Sequence, residues 1–432
     1  VIKMSGTISE EIEEFAGLRV KQARDEVVKK LEEKGLLIEV KDYEHRVGHC
    51  YRCDEVIEPL PHLQFFVKVE PLVKEVLKAL DKGKVEIVGP GQEKVMRHWL
   101  ENLRDWNISR QIVWGIRMPV WYSTELNPEL KVVFLDKNGD KVKDEVGKLI
   151  DKYTLAEIED GLQEDSEFVV SEDKPGEEFL QETDTFDTWF SSSQWPVVSL
   201  KTNRQGDFEY YYPTSIMETA YDILIFWVMR MLMMGIYLTD QVPFERVYLH
   251  GLIRDEEGKK MSKSKGNVIN PLSMIEKYGA DALRMGLVMS SAAGQDKNVG
   301  ESDIKGMRNF ANKIWNAARF IEMSGSDEDN ACKGDEKFFE NLDQVTADVG
   351  EHLDNLRVGL AAETAHNKFW HWYCDECIEK TKQGEISQAA LQKGLRVFLK
   401  ILHPFVPFVT ESVWQELGEE GLLIEQNWPS IK

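Results

Sequence analysis

Long apolar runs are missing from this 432-residue sequence. None approaches the roughly 20 residues needed to cross a bilayer, so a membrane-spanning protein is not expected. Cysteine is scarce as well. Five of them (Cys50, Cys53, Cys332, Cys374, Cys377) in a chain this long do not make a disulfide framework, and a reducing cytoplasm is the expected compartment. Positive charge is in deficit, with 53 Lys and Arg against 76 Asp and Glu and a net charge of −23. That excludes non-specific polyanion binding by the whole surface, though not an RNA partner held on a local basic face. The start, Val1-Ile2-Lys3-Met4-Ser5-Gly6, has neither an initiator Met nor a secretory apolar stretch, as expected of an internal piece of a soluble protein. What is present suffices for a folded protein: 42% hydrophobic residues, including 12 Trp, can bury a sizeable core. The length suggests roughly three domains of about 150 residues.

The local pattern divides the chain. Residues 10–37 read as helix-rich and close at Glu33-Lys34-Gly35, residues 64–69 read as a strand, and residues 70–80 as a helix opened by Pro71. Asn138-Gly139 predicts a hairpin over 135–142, while residues 157–182 read as a charged surface insertion with little to bury. From Ile216 to Met234 the chain turns strongly apolar; a strand over 246–250, a loop, and a helix opened by Asn270-Pro271 follow. That alternation predicts an α/β unit. Beyond Gly300 the strand signals cease, and residues 304–321, 343–383 and 387–402 carry helical periodicity, with an acidic linker at 325–330. An all-α domain without internal repeats is expected there.

The most informative stretch runs from His250 to Asn267. Four lysines (Lys259, Lys260, Lys263, Lys265) fall within seven residues, interleaved with Ser262 and Ser264 and flanked by Gly258 and Gly266. Like charges this dense repel one another unless a polyanion neutralises them. Hydroxyls and backbone N–H groups add phosphate donors, and the glycines give hinge freedom. Such a loop suits a triphosphate; a solvated lysine run is the bland alternative, and composition alone does not choose. The order of residues does. Lys260-Met261-Ser262-Lys263-Ser264, placed after a strand ending in His250-Gly251 and followed by Gly266-Asn267-Val268-Ile269-Asn270-Pro271, resembles the KMSKS motif of the class I aminoacyl-tRNA synthetases.

Further runs are similar to the branch of that family serving valine, isoleucine and leucine. They begin with Trp106-Asn107-Ile108-Ser109-Arg110-Gln111-Ile112-Val113-Trp114-Gly115. Asp184-Thr185-Phe186-Asp187-Thr188-Trp189-Phe190-Ser191-Ser192 resembles the valine members, as do residues 213–230 and 242–251, whereas Ile116 is more isoleucine-like. The likeness covers about residues 17–429. It implies the second half of a class I Rossmann-like nucleotide fold (α/β) over 44–300, with an acidic insertion at about 136–182. An all-α anticodon-binding bundle over 301–432, incomplete at its C-terminus, would follow, and residues 1–43 would be the trailing edge of an editing insertion. An aliphatic pocket separates valine from threonine by only about a hundredfold, a figure that comes from the valine enzymes themselves, and editing answers that limit.

The resemblance implies ATP-dependent attachment of L-valine to tRNA(Val) through a valyl-adenylate, with Mg²⁺ brought by the nucleotide, in a monomer. The isoleucine enzymes and a non-catalytic tRNA-binding relative are the rival readings. Lys260 and Lys263 would stabilise charge that grows on the departing pyrophosphate. Ser262, Lys263, His250, Gly251 and Asp222 would meet ATP. Trp114 and Trp189 would flank the amino-acid side chain as rigid walls, and Asp184 would hold its ammonium; two core tryptophans are the alternative. The sequence departs from the family at Ala220-Tyr221-Asp222, where Gly-x-Asp is usual. The histidine-containing nucleotide motif and the Gly-rich first strand–helix turn are absent, so the chain alone is expected to be inactive. Cys50 and Cys53 have the spacing of half a tetrahedral Zn²⁺ site whose other ligands would lie outside the chain, and a non-ligating pair is equally open. Cys374, Cys377 and His371 form a tempting trio, but the helical periodicity around them points to burial. Residues 303–320 put cations beside Phe310 and Trp315, which an amphipathic helix with a solvated face also explains. Residues 404–411 resemble the turn of the anticodon bundle, where bases would be read by stacking and edge hydrogen bonds.

Overall fold

The apolar stretch after residue 216 folds as one strand–helix–strand crossover, described in a computed structural model covering residues 1–2, 6–9, 11–50, 53–59, 64–112, 114–136, 138, 140–155, 158, 167–262, 266–325 and 331–430. Strand Thr214–Ala220 lies parallel to Phe244–His250, which lies parallel to Glu86–Val88. Parallel neighbours cannot be joined by a tight turn, and the connection is a continuous helical segment. It begins as a 3₁₀ turn (Tyr221–Ile223), passes through a π-helical stretch (Leu224–Val228) and continues as the α-helix Met229–Thr239. Asp240, at φ 59°, ends it.

Contrary to the expectation that no apolar run nears a bilayer's width, Tyr221–Thr239 is long and apolar enough to cross one, with 19 residues and mean hydropathy 1.6. Its character has a local cause. Leu224, Val228, Met229, Met231, Leu232 and Met233 are buried, and helix Met229–Thr239 packs on the helices Glu70–Asp81 and Trp195–Asn203. Arg230 on the same segment pairs with Asp187 at 3.1 Å.

By contacts the chain divides into two units: Val1–Phe66 with Asn107–Phe186, and Val67–Trp106 with Asp187–Lys432. The parallel sheet and all the C-terminal helices belong to the second. There, helix Glu301–Met323 buries Ile304, Phe310, Ile314, Ala317, Ala318 and Ile321 along one stripe, so the amphipathic reading of this helix accounts for Phe310. The helix foreseen over 343–383 is broken. Asp335–Asp354 stops, Leu356 adopts φ 54°, and Val358–Asn367 sets off again before a π-helical stretch, Lys368–Cys377. A residue in the left-handed region just past a helix end is a common terminator. The restart is possible because Gly359 has no Cβ; one there would come within 2.1 Å of the Ser291 carbonyl.

In the first unit, strand Val120–Ser123 is flanked antiparallel by Phe168–Val170 and Phe179–Gln181, beside a hairpin of Lys131–Leu135 with Lys141–Glu145. Helix Val20–Glu33 ends where expected, with Gly35 at φ 67°. Residues 157–182 are more than a charged insertion. Two of this sheet's strands lie there, and Ile158 and Leu180 are fully buried. Strands of three residues are too short for their period to be read in a charged context.

Candidate active site

Adjacent parallel strands bring distant positions together at their carboxyl ends. Ala220 pairs with His250, so the turn carrying Tyr221 and Asp222 emerges beside His250-Gly251. Open parallel sheets bind ligands at such ends. Asp222 is exposed in the first turn of the crossover helix. His250 Nδ1 donates to the Gly251 carbonyl at 2.8 Å, and its Nε2 lies 3.3 Å from Glu218 Oε1. A cavity of about 410 Å³ opens against the same strand, lined among others by Glu218, Tyr248, His250, Gly251 and Lys297, though not by Asp222, Lys260 or Ser262.

Past Gly251 the chain forms the base of the cationic loop. Ile253–Arg254 runs parallel to Lys297–Asn298, and Arg254 bridges back to Lys260. Asp255 Oδ1 accepts from Glu257 N and Lys259 N at 3.1 and 2.7 Å, which tightens the turn through Gly258, whose φ is 78°. Asn267, at the far end, donates to Asp255 Oδ2 at 2.8 Å and to the Lys260 carbonyl, and accepts from Ser262 N at 2.9 Å. Lys259 pairs with Glu257. Lys260 and Ser262 therefore stand on a closed frame. Lys263, Ser264 and Lys265 lie outside the described residues, as does the expected catalytic role of Lys263.

Trp189, half-buried in this unit, stacks on Phe226 with ring centroids 5.7 Å apart. Nearby, Asp187 is 5% exposed and accepts from Trp106 Nε1 at 3.0 Å and from Arg230 at 3.1 Å, with the guanidinium 3.9 Å above the Trp106 ring.

Three further expected positions belong to the other unit. Asp184 is buried and accepts from Gln111 Nε2 at 2.8 Å. Trp114 is 91% exposed and is not part of a core among the described residues. The Cys50–Cys53 pair sits on a turn closed by Asp54 N to the Cys50 carbonyl at 2.8 Å, with Cys53 exposed. Among the described residues no group of three or more His, Cys, Asp or Glu side chains is placed to hold a metal. Cys374 and Cys377 are buried in the helical core, where desolvation pushes both thiols up to about 12, while His371 turns outward to Asp375 at 3.5 Å.

Sequence reasoning missed Arg254, Asp255, Asn267, Asp296 and Asp187. Each is an ordinary polar residue whose bonds are set by the folded backbone, and the Asp255–Asn267, Arg254–Asp296 and Asp187–Arg230 pairs join positions 12, 42 and 43 apart.

A parallel sheet with a lysine loop hung from one strand end, backed by a helical bundle, defines a class of protein. Residues 19–300 match the family model of tRNA synthetases class I (I, L, M and V), and residues 335–432 match that of the anticodon-binding domain of tRNA ligase. The chain belongs to the class I tRNA synthetases, as an α/β portion followed by helices. Among its relatives are the valine--tRNA ligases of Dehalococcoides mccartyi strain CBDB1 (38% identical, 95% of this chain and 44% of that protein) and Geobacter sulfurreducens (39%, 96% and 45%). The chain thus spans about half the length of the curated relatives it matches. Two solved structures share the fold. One is the Mycobacterium tuberculosis methionyl-tRNA synthetase bound by methionyl-adenylate (TM-score 0.60, 16% identical, covering 86% of this chain and 66% of that one). The other is the ternary complex of Agrobacterium radiobacter K84 agnB2 LeuRS-tRNA-LeuAMS (TM-score 0.56, 20%, 79% and 45%).

Proposed function

We propose that this chain is part of an enzyme that attaches L-valine to tRNA(Val) with ATP, through a valyl-adenylate, in the cytoplasm and as a monomer. The observation that carries this reading is the KMSKS-bearing loop framed at the end of strand Phe244–His250, beside the turn that carries Asp222. A carboxylate oxygen of valine attacks the α-phosphorus, the bond to the bridging oxygen breaks, and pyrophosphate leaves with growing negative charge. Lys260 and Lys263 meet that charge, which is larger in the transition state than in the ground state. Ser262, His250 and Gly251 line the approach to the phosphates, and Asp222 accepts from ribose hydroxyls. Mg²⁺ arrives on the triphosphate, as it does where few protein ligands are offered. Trp189 is the aromatic wall that its own unit offers to the aliphatic side chain. Zn²⁺ enters no step; Cys50 and Cys53 hold it only with ligands from outside these 432 residues.

The test is amino-acid-dependent exchange of pyrophosphate into ATP by a full-length enzyme carrying this chain. Valine is expected to outpace isoleucine by on the order of 10²-fold, the scale on which one methylene is discriminated. Preference for isoleucine would move the protein to that branch. Tight tRNA binding without exchange for any amino acid would make it a non-catalytic relative.

A further inference from the structure

Asp296 stands where two separate parts of the candidate site meet. Its Oδ1 accepts from Leu252 N at 2.9 Å and its Oδ2 takes Arg254 Nε at 2.5 Å, so one carboxylate grips the first residues of the loop base. Tyr221, which immediately precedes Asp222, lies close to both Asp296 and Arg254. The segment bearing Asp296 is zipped along the loop base by Gly294 N to the Leu249 carbonyl (2.7 Å), Lys297 N to Leu252 (3.0 Å) and Val299 N to Arg254 (3.0 Å). Gly251 makes this approach possible, since a Cβ there would come within 1.6 Å of the Gln295 carbonyl. Lys297 fixes the segment from the other side, its Nζ donating to the Gly286 carbonyl at 2.8 Å and to that of Met289, at the end of helix Ala280–Val288. Arg254 in turn reaches the Gly258 carbonyl at 3.3 Å and bridges to Lys260.

We infer that Asp296 is a positioning residue for adenylate formation: through Arg254 and Leu252 it sets the base of the cationic loop, beside the turn that carries Asp222. The inference rests on the functional reading above. Arg254 and Asp296 keep 31% and 20% of their side-chain surface in water, so the pair is partly buried at the loop base. What the pair fixes is direction.

In a full-length enzyme, Asp296→Asn is expected to lower kcat for valine-dependent pyrophosphate exchange by on the order of 10²-fold, the effect of a misplacement of about 1 Å. The valine KM should stay within about twofold, because the carboxylate acts on the phosphate side. Adding Arg254→Gln to Asp296→Asn should cost little more, since the two work as a unit. Tryptic cleavage between Lys259 and Lys265 should quicken in Asp296→Asn whatever the substrate. A variant that exchanges at the wild-type rate, or is cut no faster, overturns the inference. A wild-type enzyme without valine-dependent exchange overturns the functional reading instead, and the cleavage rates still decide whether Asp296 sets the loop.

Discussion

Asn267 ties three segments of one loop, bonding Asp255, the Lys260 carbonyl and Ser262 N at once. Asn267 and the Lys259 N–H, both donating to the charged form, hold the Asp255 carboxyl below its usual range. Asp255 therefore stays ionised, and as a carboxylate it keeps both of the donors that close the frame. In a full-length enzyme, Lys263→Ala should slow pyrophosphate exchange by on the order of 10²–10³, comparable to losing one oxyanion donor. The valine KM should change little if Lys263 serves the phosphates, as proposed. Exchange at the wild-type rate would reduce the run to a solvated loop. The lysines were legible because they are contiguous and ordered. Asp255, Asn267 and Asp296 were not, because what makes them matter is a partner 12 or 42 positions away that the backbone supplies only once folded.

Helix Ala280–Val288 connects the sheet region to the bundle through one buried carboxylate. Asp281, 7% exposed, accepts from Phe408 N and Val409 N at 3.1 and 2.7 Å, satisfying two donors at the start of helix Pro407–Glu416. One turn on, Arg284 donates to the Pro404 carbonyl at 2.9 Å. Asp281→Ala should strand both N–H groups and cost about 0.5–2 kcal/mol, the usual loss for a helix cap, whereas Asp281→Asn keeps an acceptor and should lose less. Thermal unfolding measures both; an alanine variant as stable as wild type would show that the joint is held elsewhere. Burial raises the Asp281 carboxyl against the pull of its N–H partners, Arg284 and His403. Folding then gains from this group below the ordinary carboxylate range, and the gain is lost as pH climbs through the raised value. That slope should vanish in Asp281→Asn. At this scale the long helices were readable from their stripes. The break at Leu356 was not, since it follows from the room left at Ser291 by Gly359, and neither were the three-residue strands after 167, which act only by completing a sheet.

For the molecule as a whole, motif order pointed to the family, but the division into units was not readable, because Asn107–Phe186 returns to pack with Val1–Phe66 across an intervening stretch of the other unit. Contiguous windows carry no record of such a return. The matched relatives are about twice as long as this chain, and the sequence has neither a Gly-rich strand–helix turn nor a histidine-containing nucleotide motif to seat adenine and triphosphate. Adenylate formation needs two things together: phosphates held in line for attack, and charge placed where pyrophosphate departs. On the proposed reading the loop supplies the second. Positioning alone accounts for effective concentrations of about 10⁵–10⁸ M in well-oriented reactions, so a site with the charge but without the seat loses far more than one contact. The 432-residue chain by itself is therefore expected to give no valine-dependent exchange above background, while a full-length enzyme carrying it exchanges readily. Both are measured in one assay at equal protein concentration, with circular dichroism showing that the isolated chain is folded. Exchange by the isolated, folded chain would mean that the strand ends at Ala220 and His250 already seat the nucleotide unaided.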